Sequence, residues 1–344
     1  RNLINEEVHG VECLAPTETP ELIQQSLYDL TVEVDKIISK SAFVYARDVL
    51  NSTFIFDQSL RLRFLRSELF HPSKAAQRFV GFLDVLWDYY GDAGLTRPIK
   101  LSDLNREEMD LLKSGDYQLL PFRDRSGRKL FTMVGQAGLY SELRTRIKVL
   151  IYLYWAMADD VETQRRGMVL IYCPNFENGL VFPDKNEMTE AERVIKNAPV
   201  RMVSMHHCLP EGPLFRLLKG LSILVLSADE RARAKFHQGS TLELKYTLLG
   251  YGIPIDLIPV TESGKVKTKN WTQWLKTRRA IEQRTDVNPV ECPFLNDVAF
   301  RLGKSYLSHP GNSLYRGLLE QSFQSHNQAK SSVAKKRSYM ECHR

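Results

Sequence analysis

The chain is poor in the features by which many enzymes can be read from sequence. Its 344 residues hold five cysteines, Cys13, Cys173, Cys208, Cys292 and Cys342, scattered, odd in number and without a C-x-x-C pair. That spacing argues against a disulfide framework or a zinc knuckle and fits a reducing, cytoplasmic setting. Also missing are G-x-x-x-x-G-K-[ST], G-x-G-x-x-G after a strand, H-E-x-x-H and G-x-S-x-G. Without them, NTPase, nicotinamide, zinc-peptidase and ordinary hydrolase chemistry have no anchor, so no catalytic residue, cofactor or metal is expected. The longest apolar run, residues 149–158, is far short of the roughly 20 residues that span a bilayer. No transmembrane helix is expected. The start at Arg1 carries no basic-then-apolar leader and reads as a fragment boundary. Charge is not one-sided either: 47 basic against 41 acidic residues leave +6, compatible with an anionic membrane surface, a nucleic acid or simple solubility.

What is present is enough for a core, with 43% hydrophobic and 10% aromatic residues. The centre of the pattern is 119–174. Residues 130–134 follow the turn Asp124-Arg125-Ser126-Gly127, and 168–173 follow Gly167; both are short apolar runs behind turn residues, as buried strands are. Between them Leu143, Ile147, Leu150, Ile151, Tyr154, Trp155 and Ala158 recur at helical spacing. Strand, crossover helix, strand is the unit of a parallel sheet, so the fold class is α/β.

Residues 1–20 lack periodicity and read as a lead-in. One or two helices are expected over 21–49, with stronger ones over 60–70 and 74–90, where Phe79, Leu83, Leu86 and Tyr90 keep the i, i+3, i+4 rule. Asn105 with Glu108 forms a capping box, and Gly115 marks the stop of that helix. Thr189 with Glu192 suggests a second box before a helix ended by Pro199. Residues 200–208 alternate as a strand does, 214–226 is helix throughout or helix then strand, and 234–237 is a short strand. Ser240 with Glu243 caps a further helix stopped by Gly250. Asn288-Pro289 and Cys292-Pro293 mark a linker.

His206, His207 and Cys208 are tempting as metal ligands, but neighbours on a strand point to opposite faces, so the structural reading is preferred. Asp159-Asp160 and Glu107-Glu108 read as solvated helix ends. Lys265, Lys267, Lys269, Arg278 and Arg279 around Trp271 and Trp274 suit either a membrane surface or a solvated face over two core tryptophans; the second is preferred. Residues 214–226 are too apolar for a surface helix. They are buried outright or cover something apolar.

Residues 62–76, Leu-Arg-Phe-Leu-Arg-Ser-Glu-Leu-Phe-His-Pro-Ser-Lys-Ala-Ala, resemble the R-F-L-R-A-x-x-F-x-x-x-K-A helical entry of the CRAL-TRIO lipid-transfer family. Residues 122–128 resemble its D-x-x-G-R hairpin, and 234–240 the K-I-x-x-H segment behind its mobile gate helix. Gly252-Ile253-Pro254, with Leu257 and Pro259, stands where the family places an L-P turn. The resemblance covers about 60–275. It implies a helical N-terminal region and a mixed or parallel sheet flanked by helices, enclosing an apolar cavity for one phospholipid or other hydrophobic small molecule. The protein would bind its ligand without catalysis, meet a membrane surface transiently and exchange lipid there. By the order of elements, Leu214, Phe215, Leu217 and Leu218 are expected at the gate. Val169, Ile171, Met202, Ser204 and Phe236 are expected at the cavity wall, with either face of each strand open. The acidic and basic pair that phosphatidylinositol-binding members use is not recognisable.

The tail is similar to a second family, the N-D-V-L-x-G-R-G-x…H-P-G-N-x-x-F-R module abundant in diatoms and related algae, whose function is uncharacterised. Its marks here are Asn296, Asp297, His309, Pro310, Gly311 and Asn312, with Arg301 and Leu302 replacing the usual Gly and Arg. The expected divisions are 1–58 lead-in and helices, 59–115 helical region, 116–286 lipid-binding domain, 287–295 linker and 296–344 partial module. A competing expectation is an interaction or regulatory protein whose basic tail, with Lys335, Lys336 and Arg337, contacts nucleic acid or a protein partner.

Overall fold

A computed structural model of the chain describes residues 2–134, 141–173, 185–226, 228–254, 258–261, 265–283, 291–294, 296–298 and 310–328. Two compact units divide it, Arg1–Glu291 and Cys292–Arg344.

The first third of the larger unit is helical. It runs through α1 (Asn2–Val8), α2 (Pro20–Lys36), α3 (Ser41–Asp48), α4 (Gln58–Ser67), α5 (Pro72–Tyr90), α6 (Asp92–Thr96) and α7 (Arg106–Ser114). Helix α5 is the spine of this region: its stripe of Phe79, Phe82, Leu83 and Leu86 is fully buried, as the i, i+3, i+4 pattern demands. At Gly81 a Cβ would sit 2.2 Å from the Asn197 side chain, so glycine is what lets a later helix approach this closely. The α7 capping box forms as written, with Asn105 and Glu108 bonding each other's backbone, and Gly115 ends the helix at φ +82°.

The sheet then builds from β1 (Tyr117–Arg123), β2 (Lys129–Val134), α8 (Leu143–Met157), α9 (Val161–Arg166), β3 (Met168–Cys173), α10 (Lys185–Asn197), β4 (Met202–Leu209), α11 (Pro213–Val225), α12 (Ala228–Arg233) and β5 (Ala234–Gln238). Strand order is β1-β2-β3-β4-β5, with β1 antiparallel to β2 and every other pair parallel. The α/β class and the crossover between β2 and β3 are as expected. Strand β1, carrying Pro121, was not foreseen; a proline survives because β1 is the edge strand. Helices α13 (Thr241–Gly250) and α14 (Lys269–Gln283) complete the unit, and α15 (Pro310–Gln328) belongs to the smaller one. Among the described residues, no helix is long and apolar enough to cross a membrane.

Several expectations need correction. The lead-in holds α1, whose Glu7 is 1% exposed and accepts from Arg201 at 2.6 Å, with Arg233 at 3.3 Å. A charge so buried is paired, and that pairing docks the lead-in. Thr189 caps nothing: α10 already runs from Lys185, and the Thr189 hydroxyl donates back to the Lys185 carbonyl inside the helix. Glu108 ends a helix but is buried beside Lys148 at 3.0 Å rather than solvated. Asp160 does cap α9, yet it also pairs with the buried Arg123, while Asp159 pairs with Arg63 and Arg278.

The motif residues of the helical entry turn out to be joints. Arg63 lies over Trp155 at 4.5 Å while pairing with Asp159, and Arg66 holds Glu18 and Gln164. These contacts tie α4 to the crossover between β2 and β3. The hairpin motif acts similarly: Asp124 accepts from the Ser126 and Arg128 backbone and from Arg128 Nε, and Arg128 reaches the Glu7 and Val8 carbonyls. Trp271 and Trp274 stack at 4.6 Å in the core, and Trp271 Nε1 donates to the Leu112 carbonyl at 2.6 Å. Both tryptophans are core residues, as expected, but Arg278 is buried and paired with Asp159, Glu282 and Glu291 instead of lying on a solvated face.

Candidate functional site

Alternation along each strand sends successive side chains to opposite faces, and the register sorts them into rows. On one face, Leu119, Phe131, Leu170, Met205 and Ala234 stand abreast across all five strands. Helix α8 covers the near part of this row; Phe131 meets Tyr154 edge-on at 5.8 Å, and both are buried.

Two residues further along, at the carboxyl ends of the parallel strands, Tyr117, Met133, Tyr172, His207 and Phe236 form the next row. Here the cover thins. Tyr117 is buried, but Met133, Tyr172, His207 and Phe236 are only half-buried. Tyr172 and His207 meet edge-on at 5.8 Å, and His207 stacks on Phe236 at 4.6 Å with the rings 7° apart. The ring of His207 is held uncharged, its pKa pushed down to about 4 by burial and then by His237. Burial likewise pushes the Tyr117 hydroxyl up to about 12 and raises that of Tyr172. At neutral pH the ledge is therefore uncharged and largely aromatic, an apolar surface with a few polar edges.

The opposite face is closed. Leu130, Val169 and Ser204 form one row and Thr132, Ile171, His206 and Lys235 the next. Leu248 of α13, with Ile253, Ile258 and Val260, packs over them. Within this cover Ser204 Oγ and His206 Nε2 share a hydrogen bond of 3.0 Å, and His206 Nδ1 and His237 Nε2 share one of 2.9 Å. Tyr251 meets the His206 ring edge-on at 4.6 Å, and His9 stacks on Tyr251 at 4.9 Å. Burial pushes His206 down to about 2 and His237 to about 4. Among the described residues no group of three His, Cys, Asp or Glu side chains could hold a metal.

The expected wall residues thus divide. Met202 and Phe236 lie on the ledge side; Val169, Ile171 and Ser204 lie on the closed side, fully buried against α13 and its following chain. One cavity cannot be lined by both sets. Tyr172 and His207, on the ledge, were not singled out as wall residues, because period-two alternation finds the strand without saying which face is open.

Helix α11 follows β4 directly and is helix throughout. Pro213 begins it, where a missing N–H costs nothing. Phe215 is half-buried and Leu217 is 60% exposed, so the segment is not buried outright. The side chains of Leu214 and Leu218 lie outside the described residues, as do Leu257 and His309. In the smaller unit, Gly311 packs on the backbone of Asn296 and Asp297, where a Cβ would collide, and Asp297 accepts from the Phe294 N–H at 2.8 Å. Asn312 follows on α15, half-buried, and Pro310 begins that helix.

A scan against models of protein families finds no match, and a search of curated proteins finds none. Among solved structures, one described as the crystal structure of Sfh5 is similar to this chain with a TM-score of 0.40 and 12% identity, covering 78% of this chain and all of that one.

Proposed function

We propose that the protein binds one hydrophobic small molecule or phospholipid against the ledge of Tyr117, Met133, Tyr172, His207 and Phe236, with α11 as the mobile cover, and exchanges it at a membrane surface without catalysis. The observation that carries this reading is the ledge: four half-buried apolar or uncharged aromatic side chains, at the carboxyl ends of the strands, continue a row in which Leu119, Phe131 and Leu170 are buried. In open α/β sheets ligands sit at such ends. An apolar helix with an outward leucine follows immediately in the chain. Each methylene moved from water onto such a surface contributes about 0.8 kcal/mol, so one acyl chain is ample driving force. The division into a helical region, a lipid-binding sheet domain over 116–286 and a separate tail module belongs to the same proposal.

Extraction of purified protein followed by mass spectrometry tests it. A co-purifying hydrophobe, lost in Phe236→Asp protein that still unfolds cooperatively, is expected. No hydrophobe, together with no transfer between vesicles, would overturn the reading.

A second reading, an interaction or regulatory role for the tail, is favoured by α15, where Tyr315, Leu319 and Phe323 are exposed at four-residue spacing. Basic residues beyond it would suit nucleic acid. That binding would fall steeply with salt and vanish on deleting 296–344; affinity indifferent to the deletion would exclude it.

A further inference from the structure

Strands β3 and β4 carry a pair of thiols at their carboxyl ends, Cys173 as the last residue of β3 and Cys208 one residue before the end of β4. Ile171 stands beside His206 and Tyr172 beside His207, so one step further Cys173 and Cys208 close the two strands side by side on the covered face. Cys208 belongs to the cluster beneath α13, and Cys173 packs against it. The two differ in access: Cys208 is 3% exposed, whereas Cys173 is half-buried. Adjacent strands lie about 4.8 Å apart, a separation within the Cα range that a disulfide spans.

We propose that Cys173 and Cys208 form a hydroperoxide-oxidisable dithiol, with Cys173 as the attacking thiol and Cys208 as the resolving one. In the first step the sulfur of Cys173 attacks the outer oxygen of a hydroperoxide ROOH; the O–O bond breaks, ROH leaves with the thiol proton, and Cys173 becomes a sulfenic acid. In the second, the Cys208 sulfur attacks the Cys173 sulfur. The S–S bond forms, the S–O bond breaks, and the departing hydroxide takes the Cys208 proton as water. The sum is two thiols and ROOH giving a disulfide, ROH and H₂O. Access sets the order of attack, since only Cys173 can be reached. Interaction with Cys173, and then burial, raise the Cys208 thiol well above its ordinary range, which disfavours it as the first nucleophile.

The bond would join β3 and β4 at the root of α11, from which only Leu209, Pro210, Glu211 and Gly212 separate Cys208. The pair lies on the face opposite the ledge, so it stands or falls independently of any lipid ligand.

Hydrogen peroxide on the folded full-length chain, followed by alkylation and peptide mass mapping, is the test. The expected result is a cross-linked peptide pair carrying Cys173 and Cys208, less two hydrogens, formed under native conditions and reversed by dithiothreitol. In Cys208→Ser protein, Cys173 should stop at a sulfenic acid trapped by dimedone; in Cys173→Ser protein, Cys208 should keep its thiol. Phenylarsine oxide, which bridges neighbouring dithiols, should block alkylation of both in the wild type. Oxidation of Cys173 to sulfinic acid with Cys208 still free, or a cross-link that appears only in unfolded chain, would overturn the proposal. The wild-type mapping decides even if a variant fails to fold.

Discussion

The two faces of this one sheet are written with the same alternating residues and have opposite fates. On one, Val169, Ile171, Ser204 and His206 are sealed beneath α13 and the chain after it; on the other, Tyr172, His207 and Phe236 begin where the cover of α8 runs thin. Side chains one residue apart on the same strand therefore serve different ends. Both faces contribute core, but only the ledge face runs on into half-buried apolar and aromatic area.

The sharpest way to break this contrast is a pair of truncations on β3. Ile171→Ala should cost about 2–5 kcal/mol of unfolding free energy in a urea titration, through lost burial and a cavity. Tyr172→Ala, its neighbour on the ledge, should cost well under half of that while lowering the amount of co-purifying hydrophobe. Equal costs would mean that the ledge is ordinary core.

Acid should show the next largest effect. A histidine whose folded pKa lies below its unfolded value of 6.5 contributes its full stability above that value. As pH falls, the unfolded chain takes up the proton first, so stability drains away until the folded form titrates as well. For His207 and His237 that window runs from 6.5 to about 4, and for His206 it extends to about 2. Urea midpoints should therefore fall steadily below pH 6.5. Replacing His206 by Asn should flatten that fall more than replacing His207 by Asn, since the closed face holds the more strongly shifted ring. The reverse order would contradict the contrast between the faces.

Ser204→Ala leaves a buried imidazole nitrogen without its partner and should cost about 1–3 kcal/mol, read from the same titration. The smallest effect on stability belongs to Leu217→Ser on α11. Because that leucine is already in water, the change should stay within about 0.5 kcal/mol. Vesicle-to-vesicle transfer should nevertheless slow if α11 is the cover. A transfer rate equal to wild type would remove the helix from the proposed mechanism.

Much of this architecture was legible in the residues. The Asn105 and Glu108 box, the Ser240 and Glu243 box, the α5 stripe and the β2–α8–β3 crossover all rest on spacings of a few residues, and local spacing survives folding. The failures have physical reasons too. Thr189 matched a capping box but found itself one turn inside a helix, because its hydroxyl could bond backward to Lys185. The α1 segment shows no periodicity, since it is held by the Glu7 carboxylate, whose partners Arg201 and Arg233 lie far along the chain, and by Arg128 on the Glu7 and Val8 carbonyls. The expected wall residues fall on both faces of the sheet: their strands form, but a period of two defines two faces and names neither.

The sequence by itself determined the four parallel strands, the crossover helix, the apolar character of 213–225 and the absence of familiar catalytic signatures, because each is a matter of local pattern. Only the tertiary structure decided which face of the sheet α13 would seal and which row would be left at the thinning edge of α8. That choice depends on helices far apart in the chain competing to bury the same strands, and no spacing within a strand encodes its outcome.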